Sequence, residues 1–382
     1  GNQNMGKIRI GIIGLGIIAE QHLDKYKAIE DCEVVAGCDI DPVRLNNVCD
    51  KYDIPHRYES ITALLQRDDI DAVDICLHNC LHAPVSIAAL RAGKNVYCEK
   101  PMAGSYYDVL QMYTAMKETG KLLHIQLAFL YTYNTVIAKK IIDSGDLGRI
   151  YHVRSNGYRR RGRPYVDGYG RKEFVNSEWS GGGALYDMAV YHISQLLYLI
   201  DNPEPLRITG HVYQETDIDP YRKEISKYDV EEFAIGLVEF DNNLTMNITE
   251  SWAVHMNQFE GSCILGSKGG IRLEPLSYHT NMHDFQMDAS FDIGAAQYRE
   301  STLYPERLNF RESQRHWVAA LKGECQLLPT AEIALNTQLI QEGIYLSAKL
   351  KRQVTADEVK EMSKSNSRFI PNLDYNLFGL NK

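Results

Sequence analysis

The chain has 382 residues, of which 44% are hydrophobic and 24% are charged, and its formal net charge is -9. The length predicts two domains, and the acidic balance argues against a nucleic-acid partner, because binding to phosphates requires a concentrated surface of Lys and Arg. No apolar run reaches the roughly 18 residues that a membrane span requires, so no membrane association is expected.

The cysteines and the N-terminus bear on localisation. The eight cysteines contain no Cys-x-x-Cys pair and have no regular spacing, which favours reduced thiols in a cytoplasmic protein over a disulfide framework. No charged-then-apolar signal segment precedes the first predicted strand. A cytoplasmic location is therefore expected, and an upstream targeting segment removed before Gly1 is the alternative.

The first third of the chain predicts a doubly wound parallel sheet. Up to about Gln126, short β-branched segments such as KIRIGII, EVVAGCD, DAVDICL and KNVYCE alternate with helical ones. Asp41 followed by Pro42 predicts the start of one helix, and a second helix is expected between the caps of the range Ser105–Gly120. We therefore assign residues 1–126 to a Rossmann domain.

In the rest of the chain, longer strands follow one another without intervening helices. Segments such as YHVRSNGY, LRITGHVYQET, EEFAIGLVEF and LTMNITESWAV predict a mostly antiparallel or mixed sheet, and HDFQMDASF is a further candidate strand. Helices are expected in the ranges Pro305–Gly323 and Thr330–Arg352. We assign residues 127–353 to an α+β domain for substrate binding and oligomerisation, and residues 354–382 to an arm that packs on its own chain or on a neighbour.

The predicted second sheet also bears on assembly. A large open sheet with helices on one side must cover its other face, and EEFAIGLVEF offers apolar residues in both alternating sets. We therefore expect a homodimer or a homotetramer.

A glycine-rich turn follows the first predicted strand. In IRIGIIGLGIIAEQHL, Gly14 permits the tight turn, Gly16 lets the backbone approach a pyrophosphate, and Ala19 allows close helix packing. Ile17 and Ile18 begin the helix whose N-terminus favours the anion, and they complete the predicted nucleotide site. The alternative is a glycine-rich turn in a sheet that binds no nucleotide.

An acidic residue ends the second predicted strand at the spacing of a ribose ligand. Asp39 lies 23 positions after Gly16 (39 - 16), about where an acid accepts the hydroxyls of an adenosine ribose. A carboxylate at this point repels a 2′-phosphate, so NAD is the expected cofactor and NADP is disfavoured. Arg44, one turn into the following helix, is the residue that would meet such a phosphate in the alternative.

The segment CLHNCLH, from Cys76 to His82, alternates cysteine and histidine. A metal site is one interpretation, but structural zinc sites usually join ligand pairs from two separate segments, and the sequence has no second cluster. We expect no metal and assign the segment to a loop on the cofactor side of the sheet, with Asn79 and His82 among the cofactor-binding residues.

The next predicted strand ends in Glu99, Lys100 and Pro101, at the same edge of the sheet as the glycine-rich turn. In doubly wound sheets this edge holds the ligand crevice, so a charged pair there faces the ligand. A lysine in such a crevice can hold or move the proton of a reacting hydroxyl as a hydride leaves carbon. Without that context, a lysine at the end of a strand is more often a surface charge.

At five places the sequence resembles the Gfo/Idh/MocA oxidoreductases, the group of glucose-fructose oxidoreductase and inositol dehydrogenase. The matching segments are the glycine-rich turn, Asn79-x-x-His82, GKNVYCEKPM, IIDSGDLGRIYHV and GGGALYDMAVYH. The resemblance as a whole runs from Lys7 to about Arg352. The resemblance implies a Rossmann domain followed by an open-faced α/β domain, and an enzyme that oxidises or reduces a sugar-like alcohol with NAD(P).

The resemblance also implies roles for single residues. It places Lys100 beside the reacting oxygen with Asp187 as its partner, and it places Glu99 and the loop that contains CLHNCLH along the nicotinamide half of the cofactor. Two positions depart from the family pattern. Ala128 stands where the family often has Arg, and this difference concerns the identity of the substrate. Tyr191 stands where the family often has His, and this difference concerns the identity of the proton donor.

Three glycines, Gly181–Gly183, precede the acid in GGGALYDMAVYH. They lack a preceding βαβ strand and a downstream ribose acid, which disfavours a second nucleotide site, and they are expected to let a helix start close to the nicotinamide. On one helix, position +4 returns to within about 40° of Asp187 and position +5 lies about 140° away, which favours Tyr191 as the proton relay. A pKa nearer to neutrality favours His192, and a packing turn without chemistry is the alternative.

These motifs predict an NAD(P)-dependent oxidoreductase that transfers a hydride between the nicotinamide and a secondary alcohol or ketone of a sugar, polyol or glycoside. Candidate substrate-binding residues, chosen for their position next to the motifs, are Arg159, Arg160, Trp179 and His255. The alternatives are an enzyme that cleaves or epimerises a glycoside with tightly held NAD, and a non-catalytic regulator that senses NAD or a sugar.

Overall fold

The computed structural model of the protein describes residues 6–381 and contains two large sheets. The first sheet has six parallel strands in the order β3-β2-β1-β4-β5-β6. Its strands are β1 (Ile8–Ile13), β2 (Cys32–Cys38), β3 (His56–Tyr58), β4 (Ala72–Ile75), β5 (Asn95–Cys98) and β6 (Leu123–Ile125). This topology confirms the predicted doubly wound sheet. The strand order reverses between β1 and β4, where such sheets bind ligands.

Helices connect these parallel strands and begin where the capping residues predict. They are α1 (Ile17–Lys27), α2 (Pro42–Lys51), α3 (Ile61–Leu65), α4 (His82–Arg91) and α5 (Tyr106–Thr119), with a 3₁₀ turn at Asn79–Leu81. The Asp41 carboxylate accepts from the first backbone N–H groups of α2, and the Ser105 hydroxyl does the same for α5. Gly120 ends α5 with φ 67°, which its missing Cβ permits. The local sequence therefore fixes these ends.

The second sheet has nine strands in the order β14-β13-β12-β11-β7-β10-β9-β8-β15. β7 and β10 pair in parallel, and the other neighbours are antiparallel, so the sheet is mixed, as predicted. The strands are β7 (Ile150–Tyr158), β8 (Pro205–Tyr213), β9 (Phe233–Phe240), β10 (Thr245–Ser251), β11 (Cys263–Gly266), β12 (Gly269–Leu273), β13 (Leu276–Met282), β14 (Phe285–Ser290) and β15 (Val354–Thr355).

The helices after β6 are α6 (Tyr133–Asp143), α7 (Ser177–Ser180), α8 (Ala184–Asp187), α9 (Ala189–Leu199), α10 (Pro220–Ser226), α11 (Ile293–Leu303), α12 (Ser313–Leu321), α13 (Thr330–Leu350) and α14 (Ala356–Met362), with 3₁₀ turns at Ala128–Tyr131, Lys172–Val175 and Pro305–Phe310. Most of these helices contact the second sheet, whereas α12 packs on the first sheet. The close approach of α13 to β8 and β9 places Ile344 over two strand glycines, Gly210 and Gly236.

The predicted helix at Pro305–Gly323 is wrong in its first part. That segment is a 3₁₀ turn followed by α12, because Glu312 has extended backbone, with φ -150° and ψ 137°, and separates them. The sequence also gave no sign of α11, whose only buried residue is Glu300, since a helix without a buried apolar stripe has no periodic signal.

α12 packs on the first sheet, although it follows the strands of the second in the chain. Trp317 is fully buried in a cluster with Ile10 and Tyr97, and the Tyr97 hydroxyl lies 2.7 Å from the Ser313 hydroxyl. The predicted range 127–353 therefore contains a helix that covers the Rossmann sheet.

The arm packs on its own chain. β15 pairs with β8, α14 begins with a capping box at Thr355 and Glu358, and the remaining residues return to the Rossmann sheet. There the side chain of Asn372 donates to the carbonyl of Glu59, and Arg91 donates to the carbonyls of Phe378 and Gly379. Within residues 6–381, none of the helices is both long enough and apolar enough to cross a membrane.

The face of the second sheet opposite to α13 carries exposed apolar side chains. On β9, Ile235 is 41% exposed and Leu237 is 43% exposed, whereas the alternate residues are buried under α13. We propose that a second copy of the chain covers this face. We expect light scattering at micromolar concentration to give two or four times the monomer mass, and we expect Ile235→Lys with Leu237→Lys to shift the protein towards the monomer. A wild-type monomer under these conditions would contradict the proposal.

Candidate active site

The glycine-rich turn after β1 has the geometry that its sequence predicts. Gly14 has φ 87°, and a Cβ there would collide with the carbonyl oxygen of Cys76, the residue after β4. No described atom lies within 4 Å of the place that a Cβ of Gly16 would take, so the backbone at the start of α1 is open to a ligand. Ala19 is fully buried. These are the conditions for a pyrophosphate at a helix N-terminus.

A cavity of about 670 Å3 runs along this edge of the first sheet; we call it the cofactor cavity. The predicted cofactor residues Gly14, Gly16, Ile17, Ile18 and Asp39 all line it. Ile17, the first residue of α1, lines the cavity and is 70% exposed.

The charges around the cofactor cavity suit an anionic ligand. Arg44, Arg159, Arg171 and Arg368 line it, although the whole chain has a net charge of -9. Concentrated arginines bind phosphate oxygens through paired N–H groups. These arginines and the open backbone at Gly16 suit the pyrophosphate of a dinucleotide.

Asp39 is fixed at the end of β2. Its carboxylate accepts from the backbone N–H groups of Leu15 at 2.9 Å and Asp41 at 2.8 Å, and it is 7% exposed. Arg44 lies 3.7 Å from the same carboxylate. The acid is therefore oriented by the glycine-rich turn itself, and the arginine beside it faces the same cavity.

The arm forms a wall of the cofactor cavity, which the sequence analysis missed. Residues 368–372 of the arm line the cavity. The Arg368 guanidinium lies 4.0 Å from the centre of the Trp179 ring and 3.3 Å from the carboxylate of Glu178. The aromatic and apolar segment FIPNLDYNLFGL, within an otherwise polar tail, was the one sequence signal that this part of the chain is buried against something.

Lys100 lies at the end of β5 and is held by Asp187. Its Nζ donates to the backbone carbonyl of Asp187 at 2.6 Å and to the carboxylate Oδ1 at 3.3 Å, and it lies 4.5 Å from the centre of the Tyr191 ring. Burial alone lowers the pKa of this lysine, but Asp187, Tyr191 and Glu99 outweigh burial, so the pKa is raised above its ordinary value. The predicted trio of Lys100, Asp187 and Tyr191 is thus brought together.

Asp187 is held on both sides. Its Oδ2 accepts from the indole N–H of Trp252 at 3.0 Å, and Trp252 is fully buried at the end of β10. The sequence analysis did not identify Trp252, because 65 residues separate it from Asp187. Asp187 also lines the cofactor cavity, so the acid connects the buried lysine with the space a ligand would fill.

The three glycines before Asp187 allow a close packing contact. A Cβ at Gly183 would collide with the carbonyl oxygen of Glu231, and the buried Glu231 carboxylate accepts from the backbone N–H groups of Gly183 and Leu185. The carboxylate also accepts from the hydroxyl of Tyr345 at 2.6 Å. Glu231 therefore occupies the N-terminus of α8, which leaves no room for a second phosphate there.

The single helix expected through Asp187 and Tyr191 is wrong, because the chain turns at Met188 between α8 and α9. The angular argument therefore does not apply as written. The Tyr191 ring nevertheless contacts Lys100, whereas the Nδ1 of His192 lies 2.9 Å from the carboxylate of Glu250, away from the lysine. Burial lowers the pKa of His192, but Glu250 outweighs it and raises the pKa above its ordinary value.

Phe129 connects these two neighbours. Its ring stacks on Tyr191 at 4.9 Å between centroids and meets His192 edge-on at 5.5 Å. Ala128, where the family often has Arg, begins the 3₁₀ turn that carries Phe129.

Four of the predicted cofactor contacts do not line the cofactor cavity, and one of them is Lys100, whose ammonium group is held by Asp187. Glu99 is 8% exposed and accepts from Nε2 of His22 at 2.7 Å, so its carboxylate points below the edge of the sheet. His82 is fully buried with its ring nitrogens 2.8 Å from the carbonyls of Leu77 and Pro101. Asn79 donates to the carbonyl of Ser180. These side chains join the loops that surround the cavity.

The candidate substrate-binding residues separate into two pairs. Arg159 and Trp179 line the cofactor cavity, whereas Arg160 and His255 are exposed and do not line it. Arg163, four residues after Arg159, is 1% exposed and forms ion pairs with Asp167 and Glu232, so it is structural.

Among the described residues, one group of cysteine, histidine and acid side chains comes together, at His22, Asp74 and Cys76. The imidazole of His22 is engaged on both sides, by Asp74 at 2.8 Å and by Glu99 at 2.7 Å. Burial lowers the pKa of His22, but Asp74 and Cys76 outweigh it, and the pKa is raised well above its ordinary value. The His22 ring therefore joins two buried carboxylates in one hydrogen-bonded cluster.

Family models match both parts of the chain. The model for an oxidoreductase family with an NAD-binding Rossmann fold, GFO_IDH_MocA, matches residues 8–127, and the model for the GFO/IDH/MocA C-terminal domain matches residues 135–272.

Among similar enzymes, D-glucoside 3-dehydrogenase of Escherichia coli is 27% identical over 282 residues, which are 72% of this chain and 79% of that enzyme. Inositol 2-dehydrogenase of Salmonella typhimurium is 31% identical over 198 residues, which are 51% of this chain and 55% of that enzyme. The second match thus spans about half of each protein.

Solved structures share the fold. Levoglucosan dehydrogenase in complex with NADH and L-sorbose has a TM-score of 0.76 at 22% identity, over 92% of this chain and 99% of that one. The WlbA dehydrogenase of Bordetella pertussis in complex with NADH and UDP-GlcNAcA has a TM-score of 0.74 at 22% identity, over 92% and 98%.

Proposed function

Because the chain belongs to the Gfo/Idh/MocA family of NAD-binding oxidoreductases, we propose that it transfers a hydride between NAD and a secondary alcohol or ketone of a sugar, polyol or glycoside. The observation that carries the proposal is the position of Lys100, whose ammonium group contacts Asp187 and Tyr191 beside the cavity that contains the glycine-rich turn and Asp39. The names of the relatives, dehydrogenases of a D-glucoside and of inositol, support this substrate class.

The residues around Lys100 suit the handling of one proton. NAD, when bound, supplies the ring carbon that accepts or returns the hydride. When a ketone is reduced, the Lys100 ammonium group gives a proton to the substrate oxygen while Asp187 fixes that group. When an alcohol is oxidised, the neutral lysine takes the proton from the same oxygen. Trp252 keeps the carboxylate of Asp187 turned towards the lysine. The Tyr191 hydroxyl donates to the same substrate oxygen.

The test is a rate measurement with purified protein, NAD and a panel of glucosides, inositols and free sugars, followed at the absorbance band of NADH. We expect turnover with at least one neutral secondary alcohol. Binding of NAD without turnover across the panel, in either direction, would favour the non-catalytic regulator.

We further propose that the enzyme uses NAD in preference to NADP, because the carboxylate of Asp39, which is fixed at the end of β2 and lines the cofactor cavity, would repel a 2′-phosphate. We expect kcat/KM to be at least about tenfold higher with NAD, and we expect Asp39→Ser to reduce that preference by a similar factor while Arg44 remains available to a phosphate. Comparison of both cofactors with both proteins measures this. A wild-type preference for NADP would contradict it.

The arm contributes to cofactor affinity in this account. We expect Arg368→Ala to raise the dissociation constant of NAD about two- to fivefold, because it removes the contact with Trp179 and one cation beside the cavity. A chain that ends after Ser365 should lose more. Quenching of tryptophan fluorescence by NAD measures both.

Arg352→Ala is the matched control for the arm. Arg352 is exposed and pairs with Glu358 within the first part of the arm, outside the cavity. Equal NAD affinity in the wild type, Arg368→Ala and the truncated chain would show that the arm does not hold the cofactor.

A further inference from the structure

A second cavity of about 310 Å3 has lining residues that are all distinct from those of the cofactor cavity. Residues from β7, α9, the 3₁₀ turn at Ala128–Tyr131 and the segment before β11 line it. Phe129 is one of these residues, and its ring also stacks on Tyr191, which contacts Lys100. One aromatic ring therefore touches both the reaction centre and this second cavity.

Polar groups without partners line or support the second cavity. The Nδ1 of His192 pairs with Glu250, and its Nε2 makes no hydrogen bond within residues 6–381. Gln195 lies one helical turn later on the same face of α9, is 5% exposed, and donates to Thr135. No donor in the described part of the chain reaches its Oε1. The NH2 and C=O groups of a buried side-chain amide are normally both hydrogen-bonded, so the Gln195 carbonyl can accept a hydrogen bond from a ligand.

The backbone makes room for these groups at Gly157. A Cβ at this position of β7 would collide with the His192 ring and with Oε1 of Glu250. Oε1 of Glu250 is fully buried and has no partner among the described residues. Gly157 and His192 line the cavity, and Glu250 lies behind them as the buried partner of His192. A side chain at position 157 would displace this pair.

The charges around the second cavity balance one another. His192 and Glu250 form a pair without net charge. Glu260 on the rim pairs with Arg154 and Arg272, each 3.1 Å away, and Glu274 is a further carboxylate, so two cations face two carboxylates. This balance favours a neutral ligand, whose hydroxyl groups can donate to carboxylates and amide oxygens.

We propose that the second cavity binds a neutral sugar ring next to the ring that is oxidised, so that the substrate is a glycoside of at least two sugar rings. The inference rests on the proposed function, which places the oxidised ring at Lys100. The volume lies at the lower end of small-molecule sites and suits one ring. Phe129 and Phe259 supply apolar faces, and His192 and Gln195 supply the unpaired polar atoms.

The kinetic test compares methyl glucosides with α- and β-linked glucose disaccharides in the wild type and in Gln195→Met. We expect the best disaccharide to exceed its methyl glucoside about tenfold in kcat/KM through a lower KM. Gln195→Met should reduce that advantage about fivefold and change the methyl glucoside less than about twofold. Gln111→Met, on the exposed face of α5, is the matched control. Equal losses for both substrate types would overturn the proposal.

A binding test separates this inference from the proposed function. NADH-loaded protein, labelled at its histidines, is titrated with the same disaccharides, and the resonance of His192 is assigned by its loss in His192→Asn. We expect this resonance to shift with the disaccharide and not with the methyl glucoside. No shift overturns the inference even if methyl glucosides are oxidised. A shift without oxidation of any sugar supports the cavity and overturns the proposed function.

Discussion

Lys100→Met is expected to lower kcat by about 10²- to 10⁴-fold, because the lysine holds or moves the proton that accompanies hydride transfer. The same variant should change the dissociation constant of NAD less than about threefold, since an interaction used in the transition state contributes little to ground-state binding. The methionine keeps the length and apolar stem of the side chain among its buried neighbours. Stopped-flow rates and fluorescence titration with NAD measure the two effects separately.

The chain offers a matched control for this variant. Lys139 also pairs with a carboxylate, Asp201 at 2.9 Å, and lies 5.4 Å from the centre of the Tyr198 ring, but neither neighbour lines a cavity described here. Lys139→Met should leave kcat unchanged. Near-normal turnover in Lys100→Met would remove the lysine from the mechanism.

Tyr191→Phe is expected to lower kcat at least about tenfold, and far more than His192→Phe does. The phenylalanine keeps the ring that stacks on Phe129 and contacts Lys100, so the loss reports the hydroxyl group alone. His192 pairs with Glu250 instead, and its loss should appear in stability and in KM for larger glycosides.

The comparison requires folded and cofactor-bound proteins, because His192→Phe leaves the buried Glu250 without its partner. Thermal unfolding and NAD titration establish both conditions before the rates are compared. If His192→Phe then lowers kcat more than Tyr191→Phe, the proton relay belongs to the histidine.

The parts of the fold that follow from local chemistry were predictable. Gly14 needs a positive φ, Asp41 and Pro42 start a helix, and alternating strands and helices specify a parallel sheet. The meeting of Lys100 with Asp187 was predictable only through the family resemblance, because 87 residues separate them and no periodic pattern joins them.

The features that the sequence did not predict are contacts between segments that are far apart in the chain. Trp252 holds Asp187 from the end of β10, and no pattern in the sequence around Trp252 marks this contact. Arg368 reaches the cofactor cavity from the arm, where FIPNLDYNLFGL indicates burial but not the surface that is covered. The break at Met188 also had no signal, because neither a glycine nor a proline marks it. Glu99 and His82 were placed at the right edge, but their side chains satisfy buried partners there.

The most direct test of the account is the fate of the hydrogen on the oxidised carbon. NAD and the protein are incubated with carbon-deuterated glucosides, disaccharides and inositols, and the reduced cofactor is analysed by mass spectrometry. We predict that NADH gains one deuterium from at least one of these alcohols, and that Lys100→Met loses this transfer while it still binds NAD. A cofactor that stays unlabelled across the panel, in protein shown to bind NAD, would contradict the proposed hydride transfer.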